Sequence, residues 1–404
     1  VKRLPDARTY ALTYGTQLLA LAIGFFVAVI SARALAPRGR GDFAVLVSAV
    51  ALAVQLGNFG LSSSLSYWVS RRPHRASRAA LGAWLLGAGM FAVLAAVIGV
   101  GWWGGRPGGL SALVVVWAPI QLVTTLQNAI LLGSGRYGRY NLLVLAGRGS
   151  ALVAALAAVV LFRVTVSSFA ISQIAADALV LVGGARLILL DGPAPRRLGR
   201  KWIVPVVRLA LRAFPVLLLP FLLVRSDVFL MRIWRGATET GIYSIAAQLV
   251  DIILLFPGSF AAVLFPALHG ASDPRRDVVR GAGVVGAVLF AACAVLGAAA
   301  PTLISILFGS AYRDAALPFR LLLPGAFLLG VETVVIQHFA RAGYPGFLAA
   351  YWAIGLAVNV GANVFMIPRM GGAGAALAST LGYGTVAALV LLRFRSERLT
   401  RVSA

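Results

Sequence analysis

The side chains able to do chemistry in this chain lie inside stretches made otherwise of Leu, Ala, Val, Ile and Phe. The densest group sits between positions 217 and 270. Arg225 and Asp227 interrupt LLLPFLLVRSDVFLMRIW, and Asp251 interrupts the apolar run that follows a short polar turn. A charge at membrane depth costs roughly 2.5–3.5 kcal/mol on insertion scales. A chain that keeps three in one hairpin is expected to have a water-filled or protein-lined place for them. Arg225 can hold an anionic headgroup there, or it can form a structural salt bridge to Asp251 or Asp227. Arg225 and Asp227 are two apart and therefore point to different helix faces.

Other candidates are spread along the chain. Arg148 falls about 10 Å into the fifth apolar stretch at 1.5 Å per residue. Arg208 and Arg212 are one helical turn apart where the seventh begins, followed by Pro215 and Pro220, each of which favours a kink. Asp177, Asp227, Asp251 and Glu332 are candidates for a proton or cation site that couples to a gradient; the alternative for each is a salt bridge or an interhelical hydrogen bond. Gln55, Asn58, Ser62 and Ser66 in the second stretch follow steps of three and four, which keeps them on one helical face. Gln121, Thr124 or Thr125, and Asn128 repeat this in the fourth. Such stripes either line a hydrated cavity or tie helices together in a packed bundle.

The elements that carry these residues are transmembrane helices. The 404 residues are 60% hydrophobic and only 12% charged, and mean hydropathy is +0.91. Stretches of roughly 20 apolar residues, the length a helix needs to cross a bilayer, recur from end to end. Twelve are expected, from 9–32 to 372–393, with the second at 43–69, the seventh at 204–233 and the eighth at 241–268. The fold class is all-α polytopic, in two six-helix bundles: 1–190 and 204–404, joined by a linker at 191–203 that contains DGPAPRRLGRK. The formal net charge is +24. The positive residues do not form a patch with interleaved aromatics, so nucleic acid is excluded as a partner. They collect in short connections, where they set topology and meet anionic lipids. The excess on one side places both termini in the cytoplasm.

The halves share a pattern at offsets of 200 and 210. Gly41, in Arg38-Gly-Arg-Gly41-Asp-Phe43, opens the second stretch; Gly241, in Thr240-Gly241-Ile-Tyr243, opens the eighth. Gln127 and Gly133 end the fourth stretch as Gln337 and Gly343 end the tenth. Two six-helix halves inserted with the same orientation imply a pseudo-two-fold axis along the membrane normal, with a binding site between the halves.

Several chemistries are excluded. Cys293 is the only cysteine, so there is no disulfide and no cysteine metal site. The three histidines are scattered without metal-ligand spacing, so no metal is expected. No phosphate-binding glycine loop is present, and no long connection can house a catalytic centre. No catalytic residue is assigned, no cofactor is expected beyond a proton or sodium gradient, and the chain is not expected to be an enzyme.

Ala32-Arg-Ala-Leu-Ala-Pro37-Arg-Gly-Arg-Gly41-Asp-Phe43 and QLGNFGLSSSLSYWVSR, Gln55 to Arg71, resemble the corresponding segments of polysaccharide flippases. So do Ser226-Asp227-Val-Phe-Leu-Met, Gly241-Ile-Tyr243-Ser-Ile-Ala-Ala and Leu264-Phe-Pro266. The chain resembles the Wzx-type branch of the multidrug, oligosaccharidyl-lipid and polysaccharide exporter (MOP) superfamily over essentially its whole length. The resemblance implies a flippase that moves a polyprenyl-pyrophosphate-linked oligosaccharide from the inner to the outer leaflet of a bacterial cytoplasmic membrane by alternating access. It also implies glycan polymerase and export machinery as partners. On that reading Arg148, Arg212 and Arg225 grip the pyrophosphate, because guanidinium forks match its oxygens. Gln55, Asn58, Gln121 and Asn128 meet sugar hydroxyls. The alternatives are a drug or cation exporter of the same superfamily, which would want carboxylates to dominate the cavity, and a peptidoglycan-precursor lipid flippase. The chain is short for the family, and its acids match no known coupling motif.

Overall fold

The computed structural model describes residues 7–71, 76–103, 109–190, 200–268, 272–340 and 345–402. The linker residues 191–199, together with Arg341 and Gly343, lie outside them. The described chain is almost wholly helical: α1 Ala7–Asn58, α2 Leu61–Arg71, α3 Ala76–Trp103, α4 Gly109–Gly133, α5 Tyr137–Leu161, α6 Val166–Leu189, α7 Arg200–Ala267, α8 Pro274–Phe308, α9 Ala316–Ala340, α10 Phe347–Met370 and α11 Gly372–Val402. Ten helices among the described residues are long and apolar enough to cross a membrane. In hydrocarbon every backbone N–H and C=O must be satisfied within the chain, and continuous helix achieves this. The protein is a multi-pass, all-α membrane protein.

Two helices are double length, α1 and α7, and each holds one residue off helical geometry. These are Ala36 (φ 54°, ψ 173°) and Gly236 (φ 76°, ψ −178°), 200 positions apart. The polar turns expected at 33–42 and 234–240 are therefore corrected to helix interrupted at a single residue. The physical reason lies in the next residues. Pro37 lacks an N–H and its fixed φ suits the first position of a new helix, while Thr240 Oγ1 donates to the Gly236 carbonyl at 2.7 Å. Glycine adopts this backbone freely; alanine at Ala36 holds it at a cost of about 1–3 kcal/mol.

The chain folds as two compact units. The first is Val1–Leu35 with Leu46–Leu217; the second is Ala36–Val45 with Leu218–Ala404. This differs from a division at 191–203 in two places, and side-chain packing explains both. The start of α7 packs on α2 in the first unit: Ser64 Oγ donates to the Val206 carbonyl at 2.7 Å, and Phe59 stacks on Phe214 with centroids 4.1 Å apart. Segment Ala36–Val45 is tied to the second half of α7. Arg40 Nη2 donates to Gln248 Oε1 at 2.6 Å, and Arg232 pairs with Asp42 at 3.1 Å. Between these bonds Gly41 and Gly241 meet backbone to backbone. A Cβ on Gly41 would lie 1.8 Å from the Ala237 carbonyl oxygen, and one on Gly241 would lie 1.8 Å from that of Pro37.

Each unit has its own apolar core. In the first, Leu65, Val69, Leu122, Leu126 and Ile130 pack with the small faces Ala79, Ala80 and Ala83 of α3. In the second, Leu223, Phe339, Leu348, Val386 and Val390 pack around Trp352 and Tyr383.

Candidate functional site

In the first unit α4 and α6 are joined through one carboxylate. Asp177 on α6 accepts from Trp117 Nε1 at 2.6 Å and from Gln121 Nε2 at 3.1 Å, two donors one turn apart on α4. Gln121 thus serves the tie between helices, the packing alternative for its stripe. Asn128, further along α4, has a buried Oδ1 without a hydrogen-bond partner.

The stripe on the second apolar stretch does not stay on one helix. Phe59 and Gly60 both have positive φ and separate α1 from α2. Asn58 closes this break: its Oδ1 accepts from the Ser62 N–H at 2.9 Å, and its Nδ2 donates to Ser62 Oγ at 3.0 Å. An amide side chain supplies the donor and acceptor that a helix break leaves wanting. Asn58 is buried, so the expected face from Gln55 through Ser66 is corrected to two short faces with Asn58 committed to the bend. Gln55 donates to the Leu217 carbonyl at 3.0 Å.

The two arginines of this unit are placed differently. Arg148 lies eleven positions into α5, about 16 Å along it. It is exposed, with its guanidinium toward α1; a Cβ on Gly24 would lie 3.7 Å from Arg148 Nη1. Arg212 is exposed on α7, like Arg208 one turn before it. No hydrogen bond or ion pair is formed by Arg148 or Arg212 among the described residues.

In the second unit Arg225 Nη2 reaches Asp251 Oδ2 at 2.6 Å, with 31% and 32% of the two side chains exposed. The salt-bridge alternative to Asp251 is therefore the contact that forms. Removing one partner leaves the other charge uncompensated, whereas removing both does not. Arg225→Ala is expected to lower the thermal midpoint of the purified protein and Arg225→Ala with Asp251→Ala to recover part of the loss. Additive losses across this cycle would show the pair to be energetically idle.

Asp227 is buried at 1% exposure and lies in an oxygen-rich cluster. It accepts from the Tyr243 hydroxyl, from Ser379 Oγ at 3.2 Å and from the Val228 N–H at 2.7 Å. Asn359 Nδ2 donates to Ser379 Oγ at 3.3 Å, and Asn359 Oδ1 accepts from Ser226 Oγ at 3.0 Å and from Asn363 Nδ2 at 3.0 Å. Asn359, Asn363 and Ser379 are fully buried, and Asn363 Oδ1 has no hydrogen-bond partner among the described residues. Three helices, α7, α10 and α11, thus bring a carboxylate, two amides and hydroxyls to one place in an apolar bundle. Such a set of hard oxygens suits a small alkali cation or a proton far better than a soft metal. Among the described residues no three His, Cys, Asp or Glu side chains gather as a metal site.

Asp227 stands out in the sequence as a charge at depth, but Asn359, Asn363, Ser379 and Tyr243 do not. The available signal was Asn359 and Asn363, four apart and so on one face of an otherwise apolar α10. Glu332 on α9 is buried at 1% exposure, and its Oε1 has no hydrogen-bond partner among the described residues.

Comparison with known proteins agrees with this architecture. A family model described as polysaccharide biosynthesis protein matches residues 30–317. An uncharacterized membrane protein of Methanocaldococcus jannaschii is 30% identical over 146 residues, a match spanning 35% of this chain and 29% of that relative's length. Among solved structures, the lipid II flippase MurJ in an inward closed conformation aligns with a TM-score of 0.78 at 10% identity, over 95% of this chain and 87% of that one. An inward-facing multidrug resistance MATE family transporter of the MOP superfamily aligns with a TM-score of 0.70 at 19% identity, over 96% of both chains. Its outward-facing counterpart aligns at 0.65 and 18%, over 96% and 94%. At these identities the solved structures speak to the fold. The chain belongs to the polysaccharide biosynthesis protein family and is built on the fold shared by membrane transporters of the MOP superfamily.

Proposed function

We propose that this protein flips a polyprenyl-pyrophosphate-linked oligosaccharide across the cytoplasmic membrane for polysaccharide export. The observation that carries the reading is the sign of the unspent charge. Of the candidate side chains inside spans, the exposed ones without a hydrogen bond or ion pair among the described residues are Arg148, Arg208 and Arg212. Asp177, Asp227 and Asp251 have polar partners, and Glu332 is enclosed. An unpaired guanidinium at depth is costly unless it faces water or an anion. A pyrophosphate offers the oxygens that guanidinium forks bind in pairs. A cation exporter would leave acids, not arginines, unspent. The chemistry is translocation without bond breaking, so no nucleophile is needed. Membership of a polysaccharide biosynthesis family supports a glycan substrate, with polymerase and export machinery as partners, and the excess of Lys and Arg on one side supports both termini being cytoplasmic.

The buried cluster around Asp227 is the coupling site on this reading. A cation or proton there would neutralise the carboxylate. Asp227→Asn keeps the shape and removes the charge, so transport by this variant is expected to lose its dependence on the sodium or proton gradient.

The discriminating experiment is leaflet-resolved measurement of lipid-linked oligosaccharide in cells lacking the gene. Build-up on the cytoplasmic side with loss of surface glycan is the expected result. Unchanged glycan with altered drug or cation sensitivity would instead establish an exporter, as the likeness to MATE transporters allows.

A further inference from the structure

In the first unit the early turns of α1 lie beside α5, joined by two hydrogen bonds. Gln17 Nε2 donates to the Tyr140 hydroxyl at 2.7 Å, and Asn141 Nδ2 donates to Thr13 Oγ1 at 3.2 Å. Thr13 and Gln17 are four apart and share one face of α1, which meets a single turn of α5. A slide of one helical turn, about 5.4 Å, would break both bonds, so together they fix the register of the two helices.

Gly24 follows Gln17 by seven residues, and Arg148 follows Asn141 by the same seven. Seven residues are about 10 Å of helix and return to nearly the same face. The Arg148 guanidinium lies against α1 at that level. A Cβ on Gly24 would sit 3.7 Å from Arg148 Nη1 and 4.0 Å from Arg148 Cζ, and no other described residue would come within 4 Å from a neighbouring element. Ala20 and Ala28, one turn to either side of Gly24, are each 4% exposed, so this row is a packed face of α1. Arg148 itself is exposed, with no hydrogen bond or ion pair among the described residues. A long side chain without a partner loses rotamer freedom when it binds. A helix wall that already limits its sweep reduces that loss, and a pre-organised group binds more tightly.

We propose that Gly24 is the positioning residue for Arg148: its missing side chain leaves a notch in α1 where the guanidinium rests, and the Gln17–Tyr140 and Thr13–Asn141 bonds keep notch and guanidinium level. A branched side chain at position 24 fills the notch and turns the fork away. What the aimed fork recognises is a phosphate or pyrophosphate, whose oxygens a guanidinium binds in pairs. The inference rests on the reading of Arg148 as an anion grip.

Binding of geranylgeranyl pyrophosphate to the purified full chain tests it, with geranylgeraniol as the uncharged probe. Gly24→Ala, Gly24→Val and Gly24→Leu are expected to weaken pyrophosphate binding in a graded series that reaches about tenfold at leucine, the loss of one charge-assisted contact. Geranylgeraniol binding should not follow that series. Tyr140→Phe removes the acceptor of Gln17 and should weaken pyrophosphate binding by a smaller factor. In the Arg148→Ala background neither Gly24→Leu nor Tyr140→Phe should cause a further loss, because the side chain they misdirect is gone. Gly15→Leu, on the same helix with nothing within 4 Å of its added carbon, should match wild type. If the thermal midpoint shows that Gly24→Leu does not fold, Gly24→Val and Tyr140→Phe decide the matter. Wild-type pyrophosphate binding by the Gly24 variants while Arg148→Ala weakens it, or full additivity with Arg148→Ala, would overturn the proposal and leave the anion grip standing. Equal binding of the two probes by wild type, or wild-type binding by Arg148→Ala, would overturn the grip and the positioning together.

Discussion

A single methyl group added at Gly41 is expected to cut transport at least tenfold, and Gly41→Leu to abolish it. The Cβ would stand 1.8 Å from the Ala237 carbonyl oxygen, 2.8 Å from its carbonyl carbon and 2.9 Å from the Gly241 nitrogen. All three are backbone atoms, which cannot rotate away as a side chain can. Segment Ala36–Val45 must then move off α7, and with it go the bonds from Arg40 to Gln248 and from Arg232 to Asp42. Overpacking costs about 1–3 kcal/mol where neighbours can yield and more where they cannot. Gly241→Ala meets the Pro37 carbonyl at the same 1.8 Å and should behave alike. Gly283→Ala in α8 is the control, since nothing lies within 4 Å of its added carbon; it should be neutral or slightly stabilising, because alanine is the better helix former. Surface glycan in a complemented deletion strain and the thermal midpoint of the purified protein provide the readouts. Wild-type values of both for Gly41→Ala would show that the close crossing is dispensable.

The second large effect is expected at Arg148. Arg148→Ala should lower transport by roughly ten- to a hundredfold, the loss of a charge-assisted contact worth about 1.5–3 kcal/mol. Stability should change by no more than about 0.5 kcal/mol. The separation of the two readouts follows from geometry: Arg148 has no hydrogen bond or ion pair to lose among the described residues. Arg225 differs, because its removal orphans Asp251 and affects folding and transport together. Arg148→Lys keeps the charge but not the planar fork, so it should restore transport only in part. Full activity in Arg148→Ala at matched expression would remove Arg148 from the site and leave Arg208 and Arg212 as the unpaired cations to examine.

The class of protein was legible because the bilayer acts on each helix separately. A run of some 20 apolar residues spans it whatever its neighbours do. The offset of 200 between Gly41 and Gly241 marked corresponding places in the chain. The resemblance carried by those segments led to the family whose model matches residues 30–317. That Asn58 would close a helix break was less visible. The bend depends on positive φ at both Phe59 and Gly60, and phenylalanine does not signal one.

What the sequence alone determined is therefore the membrane class, the all-helical character, the family and the set of polar residues at depth. Only the tertiary structure decided how those residues are spent. It paired Arg225 with Asp251, gave Asp177 to Trp117 and Gln121, gathered Asn359, Asn363 and Ser379 around Asp227, and left Arg148 and Arg212 unpaired among the described residues. It also carried Ala36–Val45 into the second unit. The physical reason is range. Hydropathy and backbone preference act over one turn or one span, whereas a hydrogen bond closes only within about 3 Å, so partners as far apart as Asp227 and Ser379 are chosen by the rotation and register of packed helices.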